Sequence, residues 1–193
     1  MPKIDEKISC LCAGCGGIGS YFAEHINKLL EINQLPSDWN FTFFDDDKVE
    51  TKNLLYQNFK PKHVGLYKTD ALLTRYTRLK FLRKRVDSSD LINFDLIILC
   101  VDNNKIRREV YSMSKPFIDS RANGRTVGIF SSATKDYLNT IDLNDESYSC
   151  QNPFQINKKE IEYGNIIIAA ILSQVVLNYE RKKTLPERFL YNF

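Results

Sequence analysis

Several things are missing from these 193 residues, and each absence excludes a class. No apolar run is long enough to span a bilayer; the longest, Ile166 to Leu177, is interrupted by Ser173 and Gln174. The opening Met-Pro-Lys-Ile-Asp-Glu-Lys has no apolar core of the kind a signal peptide carries. A net charge of only +3 gives no global reason for a nucleic-acid or membrane partner. There is no internal repeat, low-complexity tract or linker. The 5 cysteines are an odd number, three of them crowded into one short stretch, which fits a reducing compartment better than a disulfide framework. The two histidines, His25 and His63, read as surface or capping residues. What remains, 43% hydrophobic and 26% charged, is the composition of a globular protein. The expectation is one cytoplasmic domain over residues 1–193.

Glycine is also scarce, 8 in all, yet four fall between Gly14 and Gly19. Before them Ile8, Cys10 and Cys12 alternate; after them Ile18, Phe22, Ile26 and Leu30 recur at spacings of three and four. A period changing from 2 to 3.6 across glycines predicts a strand, a turn and a helix over about 20–33. A turn without side chains lets a phosphate approach the backbone, where the first helical N–H groups supply a positive pole. A tight turn that merely packs helix on strand is the alternative. Alternation places Cys10 and Cys12 on one face of the strand, as small core residues rather than zinc ligands.

The next strand, Trp39 to Phe44, ends in Asp45-Asp46-Asp47. A carboxylate at that strand tip suits a ribose, whose two hydroxyls it can accept; three adjacent Asp also suit a solvated turn. The polar stretch from Val49 to Lys68 is long for a connection and carries Asn53, Gln57 and Lys68. A helix over 66–79 should turn Leu66, Leu72, Leu73 and Tyr76 inward, and a short strand should follow over 81–86. The basic cluster from Arg75 to Arg85 reads as a solvated face or as a site for an acidic partner. Phe94 to Val101 is unbroken apolar sequence, suited to a central parallel strand, with Asp102 at its C-terminal edge where open α/β sheets bind ligands. A helix over 104–114 and a strand over 116–120 come next. Residues 126–132 and 137–143 look like an antiparallel extension, and a strongly apolar helix should span about 166–181. The fold class expected is α/β, a Rossmann-like three-layer arrangement, mainly parallel with an antiparallel extension in the C-terminal third.

In this order Gly14-Cys-Gly-Gly-Ile-Gly-Ser20, Asp45-Asp-Asp-Lys-Val49, Asn53-Leu-Leu-Tyr-Gln57, His63-Val-Gly-Leu-Tyr-Lys68 and Val101-Asp-Asn103 with Arg107 resemble one known set. The chain is similar to the adenylating superfamily of ThiF, MoeB, HesA and the ubiquitin-activating enzymes, and most of all to ThiF-like proteins of plasmids and phages. The resemblance covers about residues 8–110. It implies ATP and Mg²⁺, with Gly14, Gly16, Gly17, Gly19, Ser20, Asp45, Asp47 and Gln57 around the nucleotide. It implies Asn53 and Lys68 at the triphosphate, Asp102 on the metal, and catalysis shared by Lys68, Asp102, Asn53 and Arg107. The reaction it implies joins a carboxylate, typically the C-terminal glycine of a small ubiquitin-like or sulfur-carrier-like protein, to the α-phosphate as pyrophosphate leaves.

Three departures from that pattern stand out. Tyr56 occupies the place of the family's phosphate-binding Arg. Residues 1–7 hold no Arg to send into a neighbouring subunit. Ser147-Tyr-Ser-Cys150 keeps one Cys where many members have a zinc-binding pair, so no structural zinc is expected. Cys150 has two readings, a thioester-forming nucleophile and an ordinary loop cysteine; no cation or histidine lies near it in sequence to lower its pKa. An NAD-dependent oxidoreductase and a non-catalytic nucleotide-binding scaffold are the competing functions. The apolar helix over 166–177 predicts a homodimer, because one sheet covers only about half of a helix.

Overall fold

The period change around Gly14 is where the chain turns from strand to helix. In a computed structural model, which describes residues 7–141, 151 and 153–193, β1 (Ser9–Ala13) leads through the glycines into α1 (Gly19–Glu31). There follow β2 (Asn40–Phe44), α2 (Lys68–Leu73), β3 (Lys80–Leu82), α3 (Ser88–Leu91), β4 (Leu96–Leu99) and α4 (Asn104–Ser112). The chain continues through β5 (Phe117–Asn123), β6 (Thr126–Ser131), α5 (Pro153–Lys158), α6 (Gly164–Lys182) and β7 (Arg188–Asn192). The strands make one sheet in the order β3-β2-β1-β4-β5-β6-β7, parallel from β3 to β5 and antiparallel beyond. This is the Rossmann-like α/β architecture expected.

Strand alternation divides the core into two layers. Cys10, Cys12, Leu96 and Ile98 face α1 and α6, while Leu11, Ala13, Ile97 and Leu99 face the side of α4. All eight are essentially inaccessible, so β1 and β4 are covered on both faces, as central parallel strands are. The register sets Ala13 opposite both Phe44 and Leu99, so β1, β2 and β4 end at one level. Gly14 N–H donates to the Phe44 carbonyl at 2.8 Å, and Cys100 N–H to the Ala13 carbonyl at 2.9 Å.

Two expectations need correction. Residues 137–140 form a single 3-10 turn, not a strand. Tyr137 is fully buried there, its ring against Phe117 and its hydroxyl donating to Asp119 at 2.8 Å, and this anchoring overrides the β-like pattern. The antiparallel neighbour of β6 is β7 instead. Second, α2 is much shorter than 66–79. Residues 65–67 are tied to 48–49 by backbone bonds, including Val49 N–H to the Leu66 carbonyl at 2.9 Å, so the chain turns at 64–65 and no helix starts before Lys68. Leu66 and Leu73 are consequently exposed, and only Leu72 and Tyr76 turn inward. The helix α6 buries about half of its residues within its own chain, in line with the expectation that one sheet covers only part of it. It packs on α1, β5 and β6, and a Cβ at Gly164 would stand 2.1 Å from the Gly124 carbonyl oxygen, so the helix seats on the β5–β6 turn. Ile168, Leu172 and Val176 are fully covered; Ile166, Ile167 and Ile171 stay half-buried. Among the described residues no helix is long and apolar enough to cross a membrane.

Candidate active site

The sheet changes direction of winding between β2 and β4 on either side of β1, and there a cavity of about 720 Å³ opens at the strand ends. The glycines on its edge have different reasons to be glycine. Gly14 has φ +92°, and a Cβ would lie 2.6 Å from the Cys100 carbonyl oxygen, so β4 presses on it. A Cβ on Gly19 would lie 1.9 Å from the Gly14 oxygen; that glycine lets α1 close onto the strand and does not line the cavity. Gly16 has no such neighbour, its nearest atom being Gln57 Nε2 at 4.0 Å. Packing does not explain Gly16, and with Gly17 it lines the cavity. No side chain caps the start of α1, so its first N–H groups are free of side-chain competition.

Opposite the glycines stand Asp45 and Lys68. Asp45 accepts the Cys15 N–H at 2.7 Å on one oxygen and the Asp47 N–H at 2.8 Å on the other. Its side chain is 8% exposed, and burial raises its pKa against the opposing pull of Lys68 and the two N–H groups. Lys68, at the first position of α2, is 9% exposed along its side chain. Its ammonium donates to Asp47 at 2.7 Å and stands 4.0 Å from Asp45. Burial pulls the Lys68 pKa down, but the two carboxylates outweigh it and the net shift is upward, so the ammonium stays charged. Asp47 itself is 61% exposed, a partner that can swing away.

The third wall is the 3-10 turn Thr51–Leu55 and the residues after it. Asn53 is buried; its Oδ1 accepts the Glu50 N–H at 2.8 Å, fixing the turn. Gln57 is buried on the cavity lining, and its Oε1 has no partner. Buried polar atoms without partners are uncommon and point to a missing one. Tyr56 is buried with its hydroxyl 3.5 Å from Asn53 Nδ2, so it brings no charge to the wall. The turn is held by Asn165, at the start of α6, whose Nδ2 donates to the Gly17 carbonyl at 3.1 Å and the Tyr56 carbonyl at 2.6 Å. One amide thus ties the glycine loop to the Asn53–Gln57 segment. Nothing local in the sequence marks Asn165 for this, since its partners lie more than a hundred residues away.

Of the residues named from sequence, Gly14, Gly16, Gly17, Asp45, Asp47, Asn53, Gln57, Lys68 and Asp102 share this lining. Ser20 does not; it is buried, and its Oγ accepts the Asn58 N–H at 3.0 Å. Arg107 does not either. Its guanidinium is buried and spent on Asp119 at 3.2 Å, Asn104 at 2.8 Å and the Val101 carbonyl at 2.6 Å, fixing the β4–α4 junction. Cys150 lies outside the described residues. Sequence reasoning passed over Lys52 and Lys105 and read Arg85 only as part of a basic cluster; all three are cations on the cavity rim, paired with Glu50 at 2.9 Å, Glu109 at 3.9 Å and Asp46 at 3.4 Å respectively. Asp102 is exposed at the tip of β4, next to Asn103, whose Oδ1 caps α4 by accepting the Lys105 N–H at 2.8 Å. Asp45, Asp46 and Asp47 bring carboxylate oxygens within 4.8 Å of one another, but each is already engaged by N–H groups or a cation. Cys10, Cys12, Cys15 and Cys100 are free thiols buried in the core, with burial pushing the first three pKa values up.

Comparison with known proteins gives the following. The ThiF family profile matches residues 2–179. No curated protein matches significantly. Among solved structures, that of selenomethionine PaaA has a TM-score of 0.66 at 16% identity, over 97% of this chain and 61% of PaaA. Escherichia coli MccB solved with ATP has a TM-score of 0.62 at 19% identity, over 96% of this chain and 60% of MccB. MccB solved with AMPCPP and MccA has a TM-score of 0.64 at 16% identity, with 96% and 60% covered. The chain spans about three-fifths of the length of these structures.

Proposed function

The chain belongs to the ThiF family, and from that premise we propose that it is an ATP-dependent adenylyltransferase of the cytoplasm acting on a carboxylate. The substrate we assign is the C-terminus of a small ubiquitin-like or sulfur-carrier-like protein. The observation that carries the reading is the buried Lys68 ammonium, held on the wall of a cavity whose opposite edge is the bare backbone at Gly16. A buried cation facing open backbone N–H groups is a site for a polyanion. The unpartnered Gln57 Oε1 and the space beside Gly16 fit a ligand that approaches the backbone closely. ATP, when bound, supplies the α-phosphate that a carboxylate attacks with loss of pyrophosphate.

This chain's residues bind and place. Asp45, already fixed by two N–H groups, would accept from the ribose hydroxyls. The loop Gly14–Gly17 and the start of α1 would lie along the phosphates. Lys68 and Asn53 would meet the triphosphate, Lys68 by exchanging Asp47 for phosphate oxygen. Such transfer depends on positioning and charge neutralisation more than on covalent help, and Lys68 supplies both. Mg²⁺ would be held by Asp102, which stands exposed on the cavity lining at the tip of β4. MccB has been solved with MccA, which supports a partner here too. We also assign a homodimer, in which part of α6 and the exposed Leu190, Tyr191 and Phe193 around β7 are covered.

A second reading, nucleotide binding without turnover, has Tyr56 in its favour, since the wall lacks the cation expected there. Thermal denaturation separates ATP from NAD⁺. At a hundred times its dissociation constant ATP with Mg²⁺ should stabilise by about 2.7 kcal/mol, a shift of about 5–11 °C, and NAD⁺ by less. An equal or larger shift with NAD⁺ would overturn the adenylating assignment.

A further inference from the structure

Beside the nucleotide cavity lies a second one, of about 240 Å³, over the β5–β6 hairpin. The two share Cys100, Val101, Asp102 and Asn104, so they are adjoining rooms on either side of the tip of β4. Among the described residues its apolar lining includes Ile18, Ala122, Val127, Phe130 and Leu190. Its polar lining is largely self-satisfied. Arg107 is spent on Asp119, Asn104 and Val101; Arg121 donates to Asp119 at 2.7 Å and to the Thr140 carbonyl at 2.5 Å; Ser120 Oγ donates to the Leu99 carbonyl at 2.8 Å. These side chains ask nothing of a guest, and the Arg121 guanidinium lies over the Phe130 ring at 4.3 Å, adding to the apolar wall.

Gly128 lets two walls of this room, Phe130 and Leu190, lie close against β6. It sits inside β6, where glycine weakens a strand, and φ is not positive there, so conformation does not require it. A Cβ would press on Phe130 Cε2 at 3.1 Å and Leu190 Cδ1 at 3.2 Å, both in lining residues, and would push them towards the room. An apolar cavity of about 150 Å³ already takes a benzene ring. This one is large enough for a branched aliphatic or aromatic side chain.

Resting on the adenylating reading above, we propose that this side room is the specificity pocket for the acyl substrate. It takes a bulky apolar side chain at or next to the carboxyl terminus, where a terminal Gly-Gly would leave it empty. The occupant follows from the geometry: a carboxylate placed at the nucleotide has its own side chain and its neighbour's within reach of the shared wall at Val101 and Asp102.

The test uses N-acetylaminoacyl sulfamoyl adenosines, stable probes that present one acyl group next to adenosine, titrated calorimetrically against the full chain. The leucyl and phenylalanyl probes should bind at least about tenfold more tightly than the glycyl probe, the value of burying one such side chain, and the aspartyl probe should not. Gly128→Val should bring the leucyl-to-glycyl ratio towards one. Equal affinities for all four probes in the native chain would overturn the pocket assignment and leave the adenylating reading standing. Failure of every probe to bind more tightly than AMP would instead count against the adenylating reading itself. The native chain alone decides the first question, so a poorly folding Gly128→Val does not.

Discussion

Replacing Lys68 by Met keeps the length of the side chain and removes its charge. In the parent the ammonium donates to Asp47 and stands 4.0 Å from Asp45. After substitution Asp47, 61% exposed, turns to water, but Asp45, 8% exposed, cannot. What is lost is one charge-assisted hydrogen bond and the cation beside a buried carboxylate that keeps its two N–H donors. That should cost about 2 kcal/mol at neutral pH, below the 3–5 of a wholly buried pair because Asp47 is free to relax. For a chain of this length the melting temperature falls by about 4–8 °C. The pH dependence gives the sharper test. Burial already raises the Asp45 pKa, and loss of Lys68 raises it further. A carboxyl group with a raised folded pKa destabilises the fold as pH climbs above its unfolded value, and protonation relieves this. The deficit should therefore be largest near pH 7 and shrink as pH falls into the carboxylate range. The stabilisation from Lys68's own raised pKa is complete below the ordinary lysine value and fades only above it, so it adds no slope in that window. Scanning calorimetry from pH 4.5 to 8 reads both, with Asp45→Asn/Lys68→Met as the control that should recover part of the loss. A variant melting within a degree of the parent at every pH would refute the reasoning.

Other outcomes follow from the same geometry. Gly19→Ala should cost several kcal/mol or abolish folding, because a Cβ would meet the Gly14 oxygen at 1.9 Å; Gly16→Ala should fold normally and lose nucleotide affinity, read by melting and titration side by side. Asn165→Ala leaves the Gly17 and Tyr56 carbonyls without their donor and should lower stability by about 1–3 kcal/mol, measured by urea unfolding; no loss would mean that water replaces the amide. Light scattering at micromolar concentration should give the mass of two chains, and the mass of one throughout would remove the homodimer.

How much of this was readable in advance depends on the range of the cause. The strand–turn–helix at Gly14–Gly19 and the buried run to Leu99 were legible because period and unbroken apolarity are local signals. The strand Arg188–Asn192 was not, since it is recruited by β6 from beyond a long helix, and the Tyr137 segment mimicked a strand because burial against Phe117 demands the same residue types. At the site, Asp45, Lys68 and Gln57 come from segments whose order in the chain foretold their meeting. Arg107 stands off the nucleotide cavity because nearness to Asp102 in sequence says nothing of direction, and its charge is drawn inward by Asp119. Asn165 escaped notice because its bonds reach back across the chain.

The central claim is turnover of ATP against a carboxylate, and pyrophosphate–ATP exchange measures it. Purified chain, ATP, Mg²⁺ and labelled pyrophosphate are incubated with a panel of small ubiquitin-like and sulfur-carrier proteins bearing free C-termini. The account predicts label entering ATP only when one such protein is present, and lost both with Asp102→Ala and when that protein's C-terminus is amidated. ATP that binds tightly yet never exchanges, with any member of the panel, would contradict it and leave a nucleotide-binding protein without turnover.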